Sequence, residues 1–170
     1  MDSFIVELHR RLRGIQQGEI AHSELYSMIH QLGEAGLTDA RSTIEQFLGH
    51  EDPQLRYIAL EVLTRHFRCD EHWHTAKGFL LKDSDPDCRR MGASALNILK
   101  RNTQDWETLH ILAQVVCNEE ELTTAREAAY IAMLGIIQFN PQQQFELSLR
   151  GLHLERDVDW TMVKSYLNKK

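Results

Sequence analysis

Breakers and crosslinks are scarce in this chain of 170 residues, which has three prolines, nine glycines and three cysteines. So little Pro and Gly disfavours a β-sandwich, with its many tight turns, and a collagen-like chain. Cys69, Cys88 and Cys117 are odd in number, widely spaced and without a CxxC pair. They form no disulfide scaffold and read as reduced thiols of a cytoplasmic protein. Valine is also rare, at 6 against 22 leucines, which again points away from sheet. No apolar run reaches the roughly 18 residues of a membrane span. The first ten residues, Met1 to Arg10, lack a basic start followed by an apolar run, so no secretory leader and no membrane partner are expected. An excess of basic charge is missing too, since 19 Lys+Arg face 25 Asp+Glu for a net charge of −6. Nucleic acid is therefore disfavoured as a partner, because phosphate binding needs concentrated Lys and Arg. There is no glycine-rich phosphate loop, HExxH or GxSxG, so neither an enzyme nor a cofactor is expected.

What the chain does contain is a repeat. Asp52-Pro53-Gln54-Leu55-Arg56 and the residues to Leu63 match Asp85-Pro86-Asp87-Cys88-Arg89 and the residues to Leu96, at an offset of 33. A third copy, Ala125 to Met133, keeps Arg126 and the small residues but has lost the Asp-Pro, and an acidic run, Glu119 to Glu121, fills its turn. Asp is a good N-cap and Pro suits the first helical position, so each Asp-Pro predicts a helix start. Leu55, Ile58, Ala59, Val62 and Leu63 then form one apolar stripe. Ala59, Gly92 and Ala129 share a register in which a small residue admits a neighbouring helix. Arg56, Arg89 and Arg126 share another, within reach of an acidic turn. Apolar segments over 41–48, 74–81 and 106–116 precede these helices. Residues 4–15 and 24–32, separated by Gly14 and Gly18, predict two more helices. So do a segment from Asn140-Pro141 to about Leu154 and another over 158–167. The total is about nine helices in four to five antiparallel pairs.

At these residues the chain resembles the HEAT repeat family in its short, bilin-lyase-type form, whose turn reads Asp-x-Asp-Pro-x-(apolar)-Arg. The match is strong over 39–101 and fair over 104–138. The resemblance implies an all-α, right-handed solenoid whose second helices line a concave face. The expected organisation is one domain over 1–170, with capping helices at 1–37, three repeats at 38–138 and capping helices at 139–170. An end left apolar would be a route to dimerisation.

The line opposite the apolar stripe falls at Gln54, Tyr57, Glu61, Thr64 and Arg68, then at Asp87, Arg90, Ser94, Asn97 and Arg101, then at Thr124, Glu127 and Ile131. Such mixed surfaces with aromatics and Arg suit a protein partner. The expected anchors are Tyr57, Glu61, Arg90, Asn97, Glu127 and Ile131. The structural motif residues are Asp52, Pro53, Arg56, Asp85, Pro86, Arg89 and Arg126. The expected function is a non-enzymatic scaffold or adaptor. Two other readings stay open: an acidic inhibitor or immunity-type protein neutralising a basic toxin or nuclease, and a tetrapyrrole lyase-like protein or chaperone. His66, Cys69, Asp70, Glu71, His72 and His74 are all metal-ligand types, but their spacing fits no short metal signature, and a solvated link is the simpler reading. Cys88 shares the register of Leu55 and reads as core. Cys69, in the link, is expected to be the more exposed thiol.

Overall fold

The computed structural model describes residues 3–138, 140, 142, 146–147 and 151–168. Among these it is helical, with no strand. The chain divides into two compact units, Met1–His72 and Trp73–Lys170.

In the N-terminal unit, α1 (Ser3–Gln16) and α2 (His22–Glu34) precede a short α3 (Arg41–Glu45) flanked by 3-10 turns, Thr38–Ala40 and Gln46–Gly49. The segment expected as one helix over 41–48 is thus broken. Over two turns, apolar side chains at 44, 47 and 48 satisfy i→i+3 bonding as well as i→i+4. Gly14 does not separate the first two helices, because α1 runs through it and the chain reverses at Gly18, whose φ is +70°. Helix α4 (Pro53–Glu61) packs against α2 and the Gln46–Gly49 turn. Leu8, Leu12, Ile29, Leu32, Ile44 and Ile58 are the heart of this unit's core, and each contributes roughly 1.5–3 kcal/mol by leaving water.

Helix α4 does not end at Glu61 but widens into a π turn, Val62–His66, closed by the Phe67 N–H donating to the Val62 carbonyl at 3.0 Å. The extra residue in the turn rotates everything beyond Glu61. Thr64, expected on the outward line, is consequently buried, and its hydroxyl donates to the Leu60 carbonyl at 2.7 Å. The same rotation carries the chain inward to Cys69, whose N–H donates to the Leu63 carbonyl. Cys69 is buried rather than exposed, and that burial pushes its thiol above the ordinary value.

The C-terminal unit contains α5 (Trp73–Lys82), α6 (Pro86–Leu99), α7 (Trp106–Cys117) and α8 (Thr123–Ile136), then α9 (Leu154–Asp157) and α10 (Trp160–Ser165). Helix α6 packs on both α5 and α8, and α7 packs on α8. Cys88, Met91, Leu96, Leu109, Leu112 and Met133 are buried there, Cys88 in the core as expected. Most of the helix expected from Asn140 lies outside the described residues. Its expected end at Leu154 is not observed. Residues 151–153 are non-helical, with Gly151 at φ +74°, and a new helix starts at Leu154. Lys169 and Lys170, expected in a C-terminal cap, also lie outside the described residues.

The repeated turn has one hydrogen-bond scheme used twice. Asp52 caps α4 through the Gln54 N–H, and Asp85 caps α6 through the Cys88 N–H. Arg56 Nη1 donates to the carbonyls of His50 and Glu51, and Arg89 Nη1 to those of Asp83 and Ser84. The turn's first residue accepts from the N–H two positions on, through Asp83 Oδ1 in one copy and His50 Nδ1 in the other. His50 therefore departs from the repeat's Asp in identity and keeps its hydrogen bond. Arg89 also gives Nε and Nη2 to Glu121 at 2.9 Å each, with both side chains mostly buried.

Two predictions follow from this packing. A Cβ on Gly92 would stand 2.5 Å from the Leu80 nitrogen and 2.7 Å from the Ala76 carbonyl, both backbone, whereas one on Gly78 meets nothing within 4 Å. Gly92→Ala is expected to destabilise by about 1–3 kcal/mol in urea unfolding, and Gly78→Ala to stabilise by about 0.5–1 kcal/mol. Arg89 holds the Glu121 carboxyl below its ordinary value of 4.5. A lowered folded pKa contributes stability above the unfolded glutamate's pKa and loses it as pH falls through the folded value. Glu121→Gln should therefore cost about 1–2 kcal/mol at neutral pH and almost nothing once the pH lies below the folded carboxyl's lowered pKa, giving a flatter acid limb in pH-dependent unfolding.

Candidate functional site

Helices α6 and α8 pack side by side, with Ala95 of α6 and Ala125, Ala129 and Ala132 of α8 buried. Their outer faces bound an open groove of about 460 Å³, lined by Asp87, Arg90, Ser94, Asn97, Thr124, Glu127, Ala128 and Ile131. Four of the six expected anchors, Arg90, Asn97, Glu127 and Ile131, thus share one site. Arg90 Nε contacts Asp87 Oδ1 at 3.3 Å along α6, and the Ser94 hydroxyl donates to the Arg90 carbonyl. Ile131 is 38% exposed, large for an isoleucine on a packed helix.

Asn97 sits at the edge of the floor. Its Oδ1 is buried without a hydrogen-bond partner among the described residues and would lie 1.8 Å from a Cβ on Gly135. The bare Cα of Gly135 is thus what leaves room for the amide. This pairing had no signal in the sequence beyond a glycine inside a helix, a position that usually has a packing reason.

Tyr57 and Glu61 belong to the N-terminal unit. There they neighbour Tyr26 of α2, which is 40% exposed. Burial first, and then nearby Glu61 and Tyr57, push the Tyr26 phenol above its ordinary value. Glu61 also pairs with Arg65 at 3.3 Å. Tyr26 went unnoticed in the sequence because it lies on a helix outside the repeat, where no register pointed to it.

The His/Cys segment does not converge. The buried His72 meets Glu45 at 3.1 Å, Glu45 pairs with Arg41, and Arg41 also bonds Glu71. The His66 ring stands edge-on to His30, and His74 lies against Trp73. Among the described residues no group of three His, Cys, Asp or Glu could hold a metal. Trp73 and Trp106 open α5 and α7, Trp73 with Lys100 4.5 Å above its ring. No helix among the described residues is long and apolar enough to cross a membrane.

A scan against models of protein families finds no match for this chain, and a search of curated proteins finds none either.

The contact between Asn97 and Gly135 can be tested by a double-mutant cycle. Gly135→Ala in the native background should destabilise by about 1–2 kcal/mol, because Asn97 must leave its seat. In an Asn97→Ala background the same change should be neutral or stabilise by up to about 1 kcal/mol, since alanine favours helix. Chemical denaturation of the four proteins reads the coupling.

Proposed function

We propose that the chain is a non-enzymatic interaction module, a short right-handed α-solenoid of HEAT-like repeats that holds a partner protein against the face built by its second helices. The repeated turn supports the repeat reading, since an aspartate cap and the same arginine grip recur 33 residues apart. The packing of α6 on both α5 and α8 supports stacked helix pairs. The observation that carries the binding reading is the α6–α8 groove. It brings together an arginine, carboxylates, amide and hydroxyl groups and an exposed isoleucine, a mixture that suits a protein surface better than a small apolar ligand.

The test is quantitative affinity purification with the native chain and with an Arg90→Glu, Glu127→Arg, Ile131→Asp variant whose thermal unfolding is first shown to be unchanged. Proteins enriched by the native chain should fall by about tenfold or more with the variant, as expected for losing hot-spot contacts. An unchanged set of bound proteins would sink the groove as the binding face.

A further inference from the structure

Arg126 holds the register of Arg89, yet its guanidinium is engaged differently. Arg89 grips its own turn with Nη1 and gives Nε and Nη2 to the Glu121 carboxylate. Arg126 gives Nε to the Val116 carbonyl at 2.9 Å, and its Nη1 and Nη2 make no hydrogen bond among the described residues. The acids just before α10 are already engaged. Asp157 accepts from the His153 N–H and from Arg156, and Asp159 caps α10 through the Met162 N–H. Arg126 is thus left without the kind of carboxylate that Arg89 holds.

This free fork lines a cleft of about 360 Å³ together with Cys117, Glu119, Trp160 and Lys164. Neither the Lys164 ammonium nor the Trp160 indole N–H has a partner among the described residues. A second cavity of about 540 Å³ shares Glu119, Arg126 and Trp160 and extends to Glu127 and Glu155.

We propose that Arg126, Lys164 and Trp160 form a seat for a carboxylate presented by another polypeptide. Two cations face one carboxylate, Glu119, on the wall of the smaller cleft. The two terminal nitrogens of a guanidinium match the two oxygens of a carboxylate, and Arg126 is half-buried, where such bonds are stronger than in open water. Trp160 offers an apolar wall for the methylenes of an incoming acidic side chain. The chain holds its own precedent, with Glu121 seated on Arg89. The seat does not depend on the α6–α8 groove, so either can fail without the other.

The experiment is an NMR titration of the ¹⁵N-labelled full chain with N-acetylglutamate α-amide, whose only charge is its side-chain carboxylate. The Trp160 indole N–H and the Arg126 Nε–H should shift saturably, and N-acetylglutamine amide should leave both in place. Arg126→Lys keeps the charge without the fork and should weaken binding about tenfold. Lys164→Gln should weaken it and Glu119→Gln should tighten it, each by a few-fold. These two exposed positions keep the test decisive if loss of the Val116 contact unfolds the Arg126 variant. The proposal is overturned by no saturable shift, by an equal response to the glutamine amide, by affinities indifferent to Lys164→Gln and Glu119→Gln, or by inorganic phosphate binding more tightly than the glutamate probe.

Discussion

An arginine that reaches back five and six residues to the carbonyls of its own turn is the contact on which this architecture rests. A turn between two packed helices leaves carbonyls with no helical partner, and unmet backbone groups near a core are costly. A guanidinium answers several at once with charge-assisted bonds. Arg56 and Arg89 do this identically, while Asp52 and Asp85 satisfy the donors on the other side of the same turn. With both ends of the turn satisfied, its two helices meet at a defined angle. His50 and Asp83, different side chains at the same place in the turn, make the same hydrogen bond to the N–H two residues on. Part of the chain's acidity sits in such turns, so the net charge of −6 is weaker evidence about partners than its size suggests.

The second constraint is steric. Gly92 brings α6 so close to α5 that even a methyl group would strike backbone. The small residues of α8 let it approach the other side of α6. Close packing of three helices places the outward lines of α6 and α8 next to each other, and the groove is the space between those lines. The site is thus a by-product of how tightly the buried faces fit.

Local departures from regular helix decide which residues reach solvent. The π turn after Glu61 withdraws Thr64 and Cys69 from solvent. The ionisable side chains around Glu71 and His72 pair with Arg41 and Glu45 instead of collecting into a metal site. Arg126, in the register of Arg89, gives its Nε to the Val116 carbonyl ten residues back instead of gripping its own turn, and its guanidinium borders an open cleft.

By itself the sequence determined the helix starts at Pro53 and Pro86, the buried stripe through Leu55 and Ile58, the core place of Cys88, and the lines 87–90–94–97 and 124–127–131 that now bound one groove. These depend on capping chemistry and on the 3.6-residue period, both written in neighbouring residues. Tertiary structure alone decided the rest: the 3-10 breaks around α3, the π turn, the burial of Thr64 and Cys69, the approach of Tyr26 to Tyr57, and the seat of Asn97 over Gly135. Each of these depends on which distant segment packs where, or on one extra residue in a single turn. A periodic pattern carries no record of either, because the side chains that impose them lie tens of residues away along the chain.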